Sequence, residues 1–282
     1  MKLLRYGPKG QEKPGLLDAA GKIRDLSAVI ADINPETLAP ALLERLRKLD
    51  PASLPAVSGQ PRLGVPLTQI PKLVCIGLNY TDHAKETGAA IPKEPIIFMK
   101  ATSALNGPND DVVLLKSSRK SDWEVELGIV IGTRANYVAE HDALKHVAGY
   151  SLVNDVSERE YQIERGGQWT KGKSGDTYCP VGPYLVTADE VGDPQKLELF
   201  CEVNGRTMQK GTTANMIFGV AHIVSYVSQF MSLMPGDVIP TGTPAGVGLG
   251  MKPPVFLKAG DTMHLGITGL GEQHQKVVTL RE

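Results

Sequence analysis

The amino-acid sequence predicts an α+β, β-rich fold, with a small β-containing N-terminal domain over residues 1–69 and a larger domain over residues 70–282. Three observations carry this expectation. Glycine (30) and proline (20) together exceed the ~12% of ordinary usage, so turns are frequent. Apolar runs are short and bounded by Gly, Pro, Asn or Asp, as strands are. Only one stretch of the larger domain, residues 215–233, keeps a helical period for long. Strands therefore do not alternate with helices as a doubly wound parallel sheet requires.

The elements follow from local pattern. Residues 2–6, 15–18 and 23–26 read as strands, the first two parted by the turn Gly7-Pro8-Lys9-Gly10. Leu38, Leu42, Leu43, Leu46 and Leu49 place a helix over 35–49. Pro51, Pro55, Pro61, Pro66 and Pro71 make residues 51–71 an extended, Pro-rich linker rather than a packed element, which sets the boundary near residue 70. Beyond it, residues 73–76 form an apolar strand. Residues 80–87 form a short helix, capped by Asn79 or Thr81 and stopped by Gly88. Strands follow at 96–99, 112–115, 125–131 and 148–153, with a helical turn at 143–146. Ile217, Val220, Ile223, Val224, Val227, Phe230 and Met231 define the helix over 215–233, which Pro235-Gly236-Asp237 ends. Residues 238–280 are short strands separated by Gly and Pro.

Composition excludes several classes. Lys+Arg number 30 and Asp+Glu 31, a net charge of −1, without the basic excess of a nucleic-acid binder. No apolar run approaches the ~18–20 residues of a membrane span, and residues 1–10 hold no apolar core of a secretory signal. Cys75, Cys179 and Cys201 are too few and too scattered for a disulfide framework or a Cys-x-x-Cys metal site. Reduced thiols in a cytoplasmic protein are expected.

The sharpest chemical feature is Trp123-Glu124-Val125-Glu126-Leu127-Gly128. On a strand, Glu124 and Glu126 project to one face and Val125 and Leu127 to the other. Two half-buried carboxylates side by side are costly unless a hard cation joins them; an exposed acidic edge strand gives the same pattern. Asp155 closes the apolar strand at 148–153, where functional groups emerge and where turn residues also sit. Three carboxylates leave about three octahedral positions open, which suits Mg²⁺ or Mn²⁺ better than Zn²⁺. His83 and Glu86, three apart on the short helix, could form an oriented base for activating water, or an exposed salt-bridged helix face.

Gly167-Gln168-Trp169-Thr170-Lys171-Gly172-Lys173-Ser174 matches the phosphate-binding loop pattern, but charged residues 157–165 precede it and Gly175–Pro180 cannot start a helix, so nucleotide binding is rejected. Lys173 remains as a cation on a Gly-rich loop that could meet an anionic substrate group. Thr241 and Thr243, in a Gly-rich loop, offer hydroxyls and backbone N–H groups to a carboxylate or simply form a tight turn. No Gly-x-Ser-x-Gly elbow supports a serine hydrolase.

Taken in order, Asn79-Tyr80-x-x-His83-Ala84-x-Glu86, Glu124-x-Glu126-Leu127-Gly128, Asn154-Asp155, Lys173-Ser174 and Gly242-Thr243-Pro244-x-Gly246-Val247 resemble the fumarylacetoacetate hydrolase family over about residues 70–280. The N-terminal stretch is similar to that of its longer bacterial members, labelled ureidoglycolate lyase or resembling 2,4-diketo-3-deoxy-L-rhamnonate hydrolase. The resemblance implies a mixed β-roll, a homodimer and one Mg²⁺ or Mn²⁺ per subunit. It implies Glu124, Glu126 and Asp155 as metal ligands, His83 and Glu86 as the water-activating dyad and Lys173 as the substrate-facing lysine. Tyr80, Arg159, Gln162 and Thr243 are implied near the substrate.

The expected reaction is metal-dependent hydrolysis of a C–C bond in a 2,4-diketo acid, giving pyruvate and a second carboxylic acid. Ureidoglycolate lysis, oxaloacetate decarboxylation or tautomerisation, and 2-oxo-4-enoate hydration would use the same metal site. The partner is a small 2-oxo acid, with no nucleic acid or membrane. Residues 79–92, between breakers at Gly88 and Pro92, are expected to act as a lid.

Overall fold

The computed structural model describes residues 1–280, the Thr87 side chain aside. Two mixed sheets organise it. The larger has nine strands in the order Ile23–Asp25, Lys13–Leu17, Lys2–Tyr6, Leu185–Thr187, Val147–Asn154, Val125–Ile131, Val238–Pro240, Leu73–Gly77, Ile96–Lys100. All neighbours in it are antiparallel except Val238–Pro240 and Leu73–Gly77. The smaller runs Arg206–Thr212, Glu198–Val203, Thr262–Ile267, Gly271–Thr279, Val112–Leu114, with its last pair parallel. This is the β-rich α+β architecture the sequence predicts.

The Val125–Ile131 strand shows why the sheet can hold both a core and a site. Val125, Leu127, Ile129 and Ile131 enter the core cluster that includes Leu199, Leu265 and Val277 of the smaller sheet. Val130 enters a second cluster with Leu3, Leu43, Leu73 and Val153. Period-two alternation thus splits one strand between two cores, and Glu126 leaves on the Val130 side. Flanked by Val147–Asn154 and Val238–Pro240, the strand has no free edge.

Four expectations need correction. Residues 51–71 do not run as an extended linker. Leu54, Leu67 and Ile70 are buried, Gly64 donates to the Arg5 carbonyl and Thr68 to that of Ile33. The prolines shape a packed irregular segment, and the nine-stranded sheet runs across the boundary near residue 70. The helix expected over 35–49 is confined to Pro40–Arg47, with proline in its first turn, where the missing N–H costs nothing. The helix expected over 215–233 is confined to Val220–Val227. Its first turns are lost because Asn79 captures them: the Asn79 side chain accepts from Phe218 N (2.8 Å) and donates to Phe218 O (3.0 Å), while its carbonyl takes Ile217 N. With Asn79 spent there, the short helix Thr81–Thr87 has Tyr80 at its N-cap and no side-chain cap. Gly88 ends it in the left-handed region, at φ 68°.

Candidate active site

Strand register assembles the acids. Val153 pairs with Glu126 and Asn154 with Val125. Just beyond that pair, Asp155 N donates to the Glu124 carbonyl (2.9 Å) and the Asn154 side chain accepts from Glu124 N (3.2 Å). Glu124, Glu126 and Asp155, from two neighbouring chain segments, thereby bring one carboxylate oxygen each within 4.8 Å of one another, all three buried. The loop after Val238–Pro240 lies along the same strand. Gly242 N donates to Glu126 Oε2 (2.8 Å) and Thr243 Oγ1 to the Val125 carbonyl (2.9 Å).

Three buried cations face these acids. Lys173 Nζ lies 2.6 Å from Glu124 Oε2 and 2.7 Å from Asp155 Oδ2. Lys100 Nζ lies 2.5 Å from Asp155 Oδ1 and also reaches the Val156 carbonyl. Arg159 is shared: Nη1 approaches Glu124 Oε1 (2.7 Å) and Gln162 Oε1 (3.0 Å), and Nε donates to Asp122 Oδ2 (2.8 Å). Arg159 Nη2, close to that same Asp122 oxygen, has no aligned acceptor. Asp122 in turn accepts from Gly248 N and Leu249 N, tying the arginine to that loop.

The charge balance is uneven. Burial would raise Glu124, but Lys173 and Arg159 outweigh it and hold its carboxyl down at about 2. Burial, then Asp155 and Glu124, push Glu126 well above the ordinary carboxylate range. Burial would lower Lys173, yet Asp155 and Glu124 raise it, so it stands as an ammonium. Converging buried carboxylate oxygens, whose mutual repulsion a cation relieves, are the donor set of a hard divalent cation.

His83 stands on the short helix Thr81–Thr87. Its Nδ1 is 3.4 Å from Glu86 Oε2, and Glu86 is fixed by Gly246 N at 3.0 and 3.1 Å from its two oxygens. A cavity of about 280 Å³ joins the parts. His83, Glu124, Glu126, Arg159, Gln162, Lys173 and Thr243 line it, as does Ala89 of the segment expected to be a lid.

Other sequence-selected positions are placed differently. Tyr80 is fully buried, is not among the cavity-lining residues, and its hydroxyl has no partner. Thr243 reaches the cavity, but its hydroxyl is engaged with Val125 O and Gln209 Nε2. Lys100 and Asp122 were missed. Lys100 shares a strand face with Phe98, which lines the cavity, so period-two alternation from Phe98 would have found it. His264 and His274, distant in sequence, are cross-strand partners that cluster with Glu272 on an outer hairpin.

The fumarylacetoacetate hydrolase C-terminal family model matches residues 72–278. The chain belongs to the fumarylacetoacetate hydrolase family. A protein of Burkholderia cenocepacia strain HI2424, called a hydrolase only by inference, is 61% identical over 277 residues, 98% of each chain. Among solved structures, the fumarylacetoacetate hydrolase of psychrophilic Exiguobacterium antarcticum superposes with a TM-score of 0.88 at 36% identity, covering 99% of this chain and 100% of that one. The maleylpyruvate hydrolase of Sphingobium sp. SYK-6, in complex with manganese(II) and pyruvate, gives 0.82 at 30%, with full coverage of both. The 2-hydroxyhepta-2,4-diene-1,7-dioate isomerase of Mycobacterium marinum gives 0.75 at 34%, again over both whole chains. Family membership makes this chain an enzyme with metal-dependent activity of the family's type, and the buried acid trio supports a divalent metal. No helix among the described residues is long and apolar enough to cross a membrane.

Proposed function

We propose that this enzyme hydrolyses a C–C bond in a 2,4-diketo acid of the acylpyruvate type, with Mg²⁺ or Mn²⁺ held by Glu124, Glu126 and Asp155, releasing pyruvate and a second carboxylic acid. One observation carries the reading. Glu124 and Glu126, whose oxygens converge with that of Asp155 just behind them, open onto the same cavity as His83, an imidazole backed by Glu86, so a cation-holding set and a water-activating base meet at one small space.

The cation, when bound, supplies Lewis-acid stabilisation of the negative charge that develops as the bond breaks. The protein's own groups do the rest. Glu86 holds His83 Nδ1, so proton exchange falls to Nε2, which takes a proton from water as its oxygen adds to the C4 carbonyl. The C3–C4 bond then breaks. His83 returns the proton to C3, and the products are pyruvate and the acid derived from C4. Arg159 and Gln162, which line the cavity beside Glu124, face the substrate's polar head. The Lys173 ammonium faces the carbon that carries developing charge. A homodimer in the cytoplasm belongs to this reading, and light scattering should return twice 30.3 kDa.

The test is a panel of acylpyruvates, oxaloacetate, ureidoglycolate and a 2-oxo-4-enoate, run with Mg²⁺, with Mn²⁺ and with chelator. Acylpyruvate turnover yielding pyruvate, abolished by chelation, is expected. Preferential turnover of another panel member, or full activity in chelator, refutes the assignment.

A further inference from the structure

We propose that the cavity is built for a diketo acid whose acyl end is apolar and uncharged, and that the enzyme discriminates against substrates bearing a second carboxylate there. The proposal deepens the diketo-acid reading and rests on it. Its ground is the division of the cavity into two chemically distinct ends.

One end is the acid and cation cluster, and its charges are committed. Lys173 is held by Glu124 and Asp155, and Arg159 by Asp122, Glu124 and Gln162. The aromatic side of the lining is apolar: Trp169 and Phe98 pack together there beside Gly77, and Ile163 and Leu78 also line the cavity. The rings of Phe98 and Trp169 pack at 5.2 Å, tilted by 59°. Trp169 sits directly over Gly77, where a Cβ would lie 2.5 Å from the indole, so glycine at 77 is what lets the ring lie there. Among the described residues, the cation-forming side chains lining the cavity, apart from His83, are the committed pair.

The two ends are joined rigidly. Trp169 is the N-cap of the Thr170–Lys173 helix, and Lys173 N donates to the Trp169 carbonyl at 3.2 Å. Lys173 Nζ itself stands 5.0 Å over the Phe98 ring. A substrate with its head at the acids therefore directs its acyl group onto the Phe98–Trp169 wall. An alkyl or aryl group gains by burial there. A carboxylate would give up part of its water against the two rings and meet no cation that is not already committed to the acids. The contrast is with the Mycobacterium marinum relative, whose name specifies a 1,7-dioate.

Oxamates, which present a 2-oxo acid head without a cleavable bond, separate binding from turnover. The full-length, Mg²⁺-loaded protein is titrated calorimetrically with N-butyloxamate and N-(3-carboxypropyl)oxamate, which are close in length. The butyl compound should bind at least 30-fold more tightly; equal or tighter binding of the carboxylate overturns the proposal. In kinetics, 2,4-dioxooctanoate should exceed 2,4-dioxooctanedioate by at least 30-fold in kcat/KM. Cleavage of both without preference refutes the pocket inference and spares the hydrolase reading. A butyl preference with neither diketo acid cleaved does the reverse. Ile163 is 49% exposed, so Ile163→Arg should fold. It should shift the oxamate preference at least 10-fold toward the carboxylate, and an unchanged preference counts against the wall as the selecting element.

Discussion

Lys100 offers the sharpest probe of how the acid cluster is held. Lys100 and Asp155 are both fully shielded from solvent and meet at 2.5 Å. Replacing Lys100 with Met keeps most of the stem's volume and deletes the charge, leaving Asp155 with Lys173 at 2.7 Å as its remaining cation. Breaking a buried pair from one side costs ~3–5 kcal/mol; since Lys173 stays, about 3 kcal/mol is expected. At a guanidinium m-value of roughly 6 kcal/mol/M, the unfolding midpoint in chelator should fall by about 0.5 M. Adding Asp155→Asn removes the stranded charge, so the double variant should recover about 2 kcal/mol relative to the sum of the two singles. Fluorescence of Trp123 and Trp169 follows the transition. Loss of a neighbouring positive charge should also make Mg²⁺ stabilise Lys100→Met more than it stabilises the unaltered protein. A single variant within ~1 kcal/mol of the parent, or a double variant equal to the sum, would refute the argument that Asp155 depends on Lys100.

Three further outcomes follow from the same geometry. His83→Ala should lower kcat on an acylpyruvate by ~10²–10⁴-fold, and Glu86→Gln by about 10-fold, since the latter only orients the imidazole; steady-state kinetics with saturating Mg²⁺ separates the two. Burial and the flanking Asp155 and Glu124 raise Glu126 above its unfolded value, so its contribution to stability is full below about pH 4.5 and is lost as pH climbs through the raised value. Melting temperature in chelator should therefore decline as pH rises above about 4.5, with Mg²⁺ or Glu126→Gln flattening the profile, and a flat profile for the chelated parent would count against it. Gly246→Ala should cost more than ~3 kcal/mol or abolish folding, because at φ 107° its Cβ would sit 1.9 Å from the Met208 carbonyl; Gly166→Ala, at φ 81° with nothing within 4 Å, should cost only ~1–2 kcal/mol, as paired melts would show.

Legibility in the sequence tracked the range of the interaction. The side-by-side placement of Glu124 and Glu126 follows from period two on an apolar strand, and Asp155 from its place at the end of the next. Both are local facts. The long helix was overextended because the residue that unwinds its start, Asn79, lies 139 positions from Phe218. Lys100 and Asp122 escaped for the same reason: their partners Asp155 and Arg159 lie 55 and 37 residues away. A lysine closing an apolar strand looks like an ordinary solvent-facing end until the fold turns it inward. The proline segment misled differently. Proline shows where regular hydrogen bonding stops, not whether Leu54, Leu67 and Ile70 will find a core.

The acids stand on or at the ends of two adjoining strands inside the nine-stranded sheet, whereas Trp169 and Ile163 ride on brief helical turns at the rim. Innovation is therefore cheap at one address and forbidden at the other. A lineage could exchange rim side chains and acquire a new diet while its bond-breaking apparatus passes unaltered from ancestor to descendant.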